Sequence, residues 1–295
     1  MDLLDKLQAR IGLQILFDFD NIIEAINFAQ DQGFNTLELN LNNIHFYQQL
    51  ANKDERLRIC ELVKIKAINL LFHSPEGISF FAPDERMITY ALDSFKRIID
   101  WSSEILAKCL TFHLGSDIFF GITGKKVPTY EIYPDYFQQQ ITKVLTEIKN
   151  YAQGKIPACV ENVGGFRYPF VSQILNELLG DNLALTMDIG HIYRFSGAVR
   201  ENEIKFFFDH KRFIKNCHIH DNNSEWDEHN IIGEGKIDFI PYFKMLADID
   251  AYLIFEVRPK ESAIECRKRF RSMILPKLGP LLSAKGGDNR NTTGG

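Results

Sequence analysis

Eight short, apolar, β-rich runs alternate with longer segments of helical period from one end of this chain to the other, and that alternation is the strongest constraint on its fold. A parallel sheet covered by helices produces such a pattern, because each strand is apolar on both faces and each crossover uses a helix. The strand-type runs are Ile11 to Phe17, Thr36 to Asn40, Ala67 to His73, Leu110 to His113, Ala158 to Glu161, Leu183 to Asp188, Phe213 to His220 and Tyr252 to Glu256. The helix-type segments are Asn21 to Gln32, Asp54 to Lys66, Asp84 to Ala107, Tyr133 to Tyr151, Pro169 to Leu179, Glu201 to Asp209, Ile240 to Ala247 and Glu261 to Leu275. Gly33 and Gly180 stand where left-handed helix stops are wanted. Eight consecutive units of this kind close into a barrel, so the expected fold is α/β, a single-domain (β/α)8 TIM barrel over residues 1–283. An open doubly wound sheet is the competing architecture; it differs by a topological switch that local pattern does not encode. Residues 284–295, rich in Gly, Asn and Thr and without periodicity, read as a disordered tail.

The 295 residues are 45% apolar and 25% charged, an ordinary globular balance with enough apolar surface for a large core. A net charge of −5 and the absence of a long Lys/Arg run argue against a general polyanion binder, while leaving a local basic groove open. Cys60, Cys109, Cys159, Cys217 and Cys266 are odd in number and widely spaced in apolar runs, which reads as reduced core thiols rather than a disulfide frame. Met1-Asp2-Leu3-Leu4-Asp5 lacks the basic-then-apolar order of a secretion signal, and no apolar stretch approaches the ~18 residues of a membrane span. The expectation is a cytoplasmic protein with no membrane association.

Barrel active sites are assembled where strands end and loops begin. Here the third strand-type run ends in His73, the fourth in His113, the fifth in Glu161, the sixth in Asp188 and the eighth in Glu256, and the seventh carries His218 near its end. His191 follows Asp188 by three residues, Asp227 and His229 lie in the loop after the seventh strand, and His220 shares the face of His218 if that strand continues. One histidine at a strand end is ordinarily a hydrogen-bonded structural residue. Six strands in succession with such endings call for a cation, because converging carboxylates and imidazoles are costly to bury without one. A mixture of imidazole and carboxylate suits Zn²⁺, Mn²⁺ or Fe²⁺. Only His45 and His210 stand clearly outside the constellation.

The segments Phe72-His73-Ser74-Pro75, Phe112-His113-Leu114-Gly115, Val160-Glu161-Asn162, Asp188-Ile189-Gly190-His191 and His218-Ile219-His220-Asp221, continuing through Asp227-Glu228-His229 to Gly233-Glu234-Gly235-Lys236-Ile237-Asp238-Phe239, resemble the xylose isomerase-like barrel superfamily. That superfamily holds sugar phosphate isomerases and epimerases and the endonuclease IV family (AP endonuclease family 2). The resemblance runs from about Ile11 to Leu275 and is most specific between His218 and Phe239. It implies a principal zinc or manganese ion on Glu161, Asp188, His218 and Glu256. It further implies that His73, His113, His191, Asp227 and His229 can complete a three-zinc cluster, so that one to three ions are open.

Two chemistries are implied by the same ligands. In an isomerase or epimerase of a sugar or sugar phosphate, Glu161 and Glu256 exchange a proton with carbon through an enediolate, and His191 orients or protonates an oxygen. Glu38, Arg258 and His220 are then candidate substrate-binding residues, Arg258 for a phosphate or carboxylate. In an endonuclease IV-like hydrolase of abasic DNA, the metals carry the chemistry and the loops grip bent DNA. The sequence departs from that family where it would grip: Ile11 to Phe17 has no His-Ser and double-Gly loop, Asn40-Leu41-Asn42-Asn43 has no basic and aromatic character, and Ser74-Pro75-Glu76-Gly77 has no aromatic wedge. The expectation is therefore the isomerase or epimerase, with hydrolysis as the alternative and DNA not expected as partner, though not excluded. A non-catalytic barrel would be marked by lost ligands, and none is lost. The connections Gly115 to Pro128 and Asn222 to Gly235 are expected to carry specificity, with Phe119, Phe120 and Trp226 as apolar walls. A closed barrel offers no sheet edge, so a homo-oligomer would use helices or loops.

Overall fold

The computed structural model describes residues 3–115, 118–163, 166 and 168–285. In chain order its strands are β1 (Ile11–Ile15), β2 (Thr36–Asn40), β3 (Asn69–His73), β4 (Leu110–Phe112), β5 (Phe119–Ile122), β6 (Lys125–Pro128), β7 (Ala158–Glu161), β8 (Leu183–Asp188), β9 (Ile214–Ile219) and β10 (Tyr252–Phe255). All but β5 and β6 pair in parallel, in the order β1-β2-β3-β4-β7-β8-β9-β10, and β10 pairs back onto β1 to close a (β/α)8 barrel. The expected runs are the barrel strands, several ending a residue or two sooner: β1 stops at Ile15, β4 at Phe112 and β9 at Ile219.

Each barrel strand is buried nearly throughout, as an apolar run between a filled interior and a helical coat must be. Phe95 and Phe112 illustrate the outer layer, where the helix Glu85–Glu104 lays its apolar face on β4 with the two rings 4.6 Å apart. Inside the barrel, one layer at the closed end is apolar, with Leu71, Cys109, Cys159, Ala184 and Ile254. Nearer the mouth the interior turns polar: Thr111 and Thr186 share a hydrogen bond of 2.8 Å, and the Asn216 amide donates to Thr111 and to Glu38. That polar layer is the floor of the site described below.

Helix ends follow local chemistry. Asn21 caps the helix Ile22–Asp31 by accepting from Ile23 N, and Gly33 ends it at φ 75°, where a side chain would be strained. Gly180 differs from expectation. It does not take a left-handed φ; instead its N–H donates to Leu183 O as the chain turns into β8. Local pattern also left out several elements: the helix Ile44–Ala51 capped by Asn43, the antiparallel hairpin β5–β6, and the short helix Ile189–Tyr193. The helix expected over Glu261 to Leu275 is Lys260–Arg269, passing through a π-helical turn, Phe270–Ile274, into a further helix, Leu275–Lys285. The rest of the expected tail, from residue 286 onward, lies outside the described residues. All five cysteines are buried and unpaired, and no helix among the described residues is long and apolar enough to cross a membrane.

Candidate metal centre

Barrel closure gathers the ligand-type residues at one mouth because each stands at, or within a residue of, the C-terminal end of its strand. His73, Glu161 and Asp188 end β3, β7 and β8; His218 is next to last in β9; His113 and Glu256 directly follow β4 and β10. Glu161 is the hub. Its Oε2 accepts from His73 Nε2 at 3.0 Å and His113 Nε2 at 2.9 Å, while Oε1 lies 3.2 Å from His218 Nδ1. Glu256 Oε2 lies 3.0 Å from the same Nδ1, though out of hydrogen-bond alignment. In the loop after β9, Asp227 Oδ2 reaches His191 Nε2 at 2.9 Å and His229 Nε2 at 3.4 Å.

Three groups result: His73, His113 and Glu161; Glu161, Asp188, His218 and Glu256; and His191, His220, Asp227 and His229. Within each, one ligand atom per residue lies within 4.8 Å of the others. The first two share Glu161, and the third adjoins them through His191 Nδ1, 3.5 Å from Glu161 Oε1, and His220 Nε2, 3.1 Å from Asp188 Oδ1, so the groups form one continuous and mostly buried cluster.

The outer hydrogen bonds fix which nitrogen of each ring faces inward. His73 Nδ1 donates to the backbone carbonyl of Ser74 and His229 Nδ1 to that of Glu256, both at 2.8 Å, which leaves each Nε2 toward the cluster. His218 is turned the other way: its Nε2 lies 2.9 Å from Glu38 Oε1, leaving Nδ1 for Glu161 and Glu256. Anchoring of a ring by a carbonyl or carboxylate behind it is the usual support of a metal-ligating histidine. Inside the cluster, His191 Nδ1, Asp227 Oδ1 and Glu256 Oε2 are buried without a hydrogen-bond partner among the described residues. Orphaned donor atoms of both kinds, on a mixed imidazole and carboxylate set, fit a divalent cation such as Zn²⁺ or Mn²⁺.

Charge distribution agrees with that fit. Burial would lower the imidazoles, but hydrogen bonding and attraction to Glu161 outweigh it and raise His73 to about 9. Burial is likewise outweighed for His191 by Asp188 and Asp227, which raise it to about 10, and for His229 by Glu256 and Asp227, which raise it to about 9. Burial would raise Glu161 and Glu256, yet His218 with His113 or His229 holds both well below the ordinary carboxylate range. The raised imidazoles of His73, His191, His218 and His229 thus face the lowered carboxylates of Glu161, Glu256 and Asp227.

The family model of the xylose isomerase-like TIM barrel matches residues 26–273. The chain belongs to this family. Uncharacterized protein MJ1614 of Methanocaldococcus jannaschii is 28% identical over 207 residues, which cover 68% of this chain and 74% of that protein. Among solved structures, a D-tagatose 3-epimerase-like protein superposes with a TM-score of 0.73 at 20% identity, covering 93% of this chain and 99% of that one. The IOLI protein with a binding zinc atom gives a TM-score of 0.69 at 16% identity, with 91% and 98% covered. At such identities the likeness to the solved structures is one of fold.

Within this xylose isomerase-like barrel the nine expected ligand positions all join the cluster. The expected substrate contacts fare differently. Arg258 reaches the mouth, its Nη2 donating to Gln14 Oε1 at 2.9 Å and Glu256 Oε1 at 3.2 Å. Glu38, expected to meet a sugar hydroxyl, is fully buried under the cluster and committed to Gln14, Asn216 and His218. Its geometry is that of a group orienting His218. His220, also expected at the substrate, is fully buried, with Nε2 at 3.1 and 3.2 Å from the two Asp188 oxygens and its ring stacked 4.0 Å from that of His229. A Cβ on Gly190 would come within 2.0 Å of the His220 ring, so the glycine of Asp188-Ile189-Gly190-His191 is the seat of that imidazole. Phe119, Phe120 and Trp226 are all exposed. Sequence reasoning passed over Gln14 and Asn216; the signal was a polar side chain interrupting an apolar strand run.

Proposed function

We propose that this protein is a divalent-metal-dependent isomerase or epimerase acting on a sugar or sugar phosphate beside its carbonyl group. The observation that carries the proposal is the convergence of Glu161 and Glu256 on one atom, His218 Nδ1, at 3.2 and 3.0 Å. Two carboxylates at one centre can serve as the base that takes a proton from carbon and the acid that returns it. A divalent ion on Glu161, Asp188, His218 and Glu256 would supply Lewis-acid stabilisation of the negative charge that develops on the substrate's oxygens.

The two carboxylates are not equivalent. Glu256 Oε2 has no hydrogen-bond partner among the described residues and is the oxygen placed to take a proton from carbon. Glu161 accepts from His73 and His113, which hold its carboxylate in place to exchange a proton with the substrate carbon. His191 Nδ1, 3.5 Å from Glu161 Oε1, is placed to donate to a substrate oxygen, and Arg258 beside Glu256 is placed to hold an anionic or hydroxyl group.

One observation favours phosphoester hydrolysis as a second reading: the groups around His113 and His229 extend the cluster beyond what a single ion needs. Metal content of the purified protein, by inductively coupled plasma mass spectrometry with anomalous scattering to place each ion, tests both. One ion among Glu161, Asp188, His218 and Glu256, with turnover in a ketose panel, supports the isomerase or epimerase. Two or three ions engaging His73, His113 and His229, with cleavage of abasic DNA and no ketose turnover, overturns it.

A further inference from the structure

Asp188 leaves the barrel at the junction between β8 and the helix Ile189–Tyr193, with φ −92° and ψ 114°. Its backbone on both sides is held by one side chain from the neighbouring strand end. Asn162 Oδ1 accepts from Asp188 N at 2.7 Å, and Asn162 Nδ2 donates to Asp188 O at 2.9 Å. Both polar ends of the Asn162 amide are therefore committed to a single residue, and the Asp188 carboxylate is aimed by how that amide plane is set.

The second hydrogen of Asn162 Nδ2 goes outward, to Glu203 Oε1 at 2.6 Å. Glu203 belongs to the helix Gly197–Asp209 on the outer coat and is buried along with Phe206 and Phe207. A carboxyl group on the same buried helix face as Phe206 and Phe207 is a costly choice where an apolar side chain would fill the space, unless its hydrogen bond is needed. The Glu203 acceptor reinforces the amide orientation that Asp188 N–H and C=O impose, because a flipped Asn162 would set its oxygen against the Glu203 carboxyl group as well as the Asp188 carbonyl.

We propose that Glu203 is a positioning residue for the metal centre, acting through Asn162 to fix the backbone of Asp188 and so the direction of its carboxylate. This rests on the reading of Asp188 as a metal ligand. It joins the outer helix Gly197–Asp209 to the cluster through three hydrogen bonds, with no contact between Glu203 and substrate.

The test is titration of the metal-free, full-length protein with Co²⁺, followed by visible absorption and by competition with a chelator. Glu203→Ala is expected to weaken Co²⁺ binding by ~10–100-fold, the usual effect of losing an outer hydrogen bond behind a ligand. Glu203→Gln retains an oxygen for Asn162 and is expected to restore near wild-type affinity and spectrum. Adding Glu203→Ala to Asn162→Ala should cost no more than Asn162→Ala alone, because Glu203 acts only through that amide. Wild-type Co²⁺ affinity in folded Glu203→Ala, failure of Glu203→Gln to rescue, or additive losses in the double variant overturns the assignment alone. A wild-type protein that takes up no Co²⁺ overturns the metal reading and the assignment with it.

Discussion

His229 Nδ1 donates to the backbone carbonyl of Glu256 across 2.8 Å, fastening the loop after β9 to the end of β10. His229 also holds φ 49°, a left-handed conformation that costs a non-glycine residue ~1–2 kcal/mol. Its ring is thus oriented by a bond to one element and its backbone strained on another, and Nε2 is delivered 3.4 Å from Asp227. Under the hydrolase reading, in which an ion also sits at the His191 and Asp227 group, His229→Ala is expected to weaken Zn²⁺ affinity there by ~10-fold or more while sparing the group around Glu161; under the one-ion reading it leaves Zn²⁺ affinity unchanged. Competition against a graded series of chelators reads this directly; unchanged affinity would show that His229 serves only the loop.

Glu256→Gln removes the carboxylate with an unpartnered oxygen, and Glu161→Gln removes the hub between His73, His113 and His218. Each should lower turnover by at least ~10²–10⁴-fold, the contribution of a positioned acid or base, with ellipticity and thermal midpoint showing a folded chain. Full activity in either would remove the proton-exchange assignment.

His113→Ala separates the two chemistries. An isomerase or epimerase centred on Glu161, Asp188, His218 and Glu256 loses only a hydrogen bond to Glu161 Oε2, which His73 still supports at 3.0 Å. The expected loss in kcat/KM is about ten- to a hundredfold, from the ~1.5–3 kcal/mol of one hydrogen bond to a charged group. Abolished turnover would point to a second ion held by His113.

Strand positions were legible because periodicity is a local property: β2, β7 and β8 end where their apolar runs end, at Asn40, Glu161 and Asp188. Six of the candidate ligands were legible for the same reason, since they sit at or beside strand ends, whereas His191, Asp227 and His229 lie in the helix and loop that follow β8 and β9. Depth along the barrel axis was not. Glu38 and His218 each point inward by strand alternation, but which of them meets substrate depends on barrel stagger, and the structure places Glu38 beneath His218. His220 was assigned to the face of His218 by a period of two, yet β9 stops at Ile219 and the ring turns to Asp188. The hairpin β5–β6 escaped notice because Phe119, Phe120 and Ile122 are exposed, so its alternation carries no in-and-out contrast.

Gly190→Ala should disturb the centre without touching a ligand. Its new methyl would lie 2.0 Å from the His220 ring, and that ring is already bounded by the His229 ring at 4.0 Å. Overpacking of this kind costs ~1–3 kcal/mol. The variant is expected to show a lower thermal midpoint, and weaker Zn²⁺ binding because His220 pushes on Asp188. A midpoint equal to wild type would mean that the imidazole has room to retreat.

The metal-free cluster should make folding stability fall at high pH. Burial opposes the protonated rings, but carboxylate neighbours raise His73 and His229 to about 9 and His191 to about 10, against ~6.5 in an unfolded chain. A raised folded value means that the folded chain holds protons the unfolded chain has released. The resulting stabilisation is fully present below about pH 6.5 and is lost as pH rises through about 9 to 10. Chelator-treated protein is therefore expected to lose thermal midpoint steadily from pH 7 to 10. Zn²⁺-loaded protein should show little of this fall, because ligation leaves the ring nitrogens facing the cluster unprotonated at both ends of the range, and Zn²⁺ uptake at pH 7 should release protons to an indicator dye. A flat midpoint in the chelated protein, or uptake without proton release, would show that the imidazoles are neutral before any ion binds.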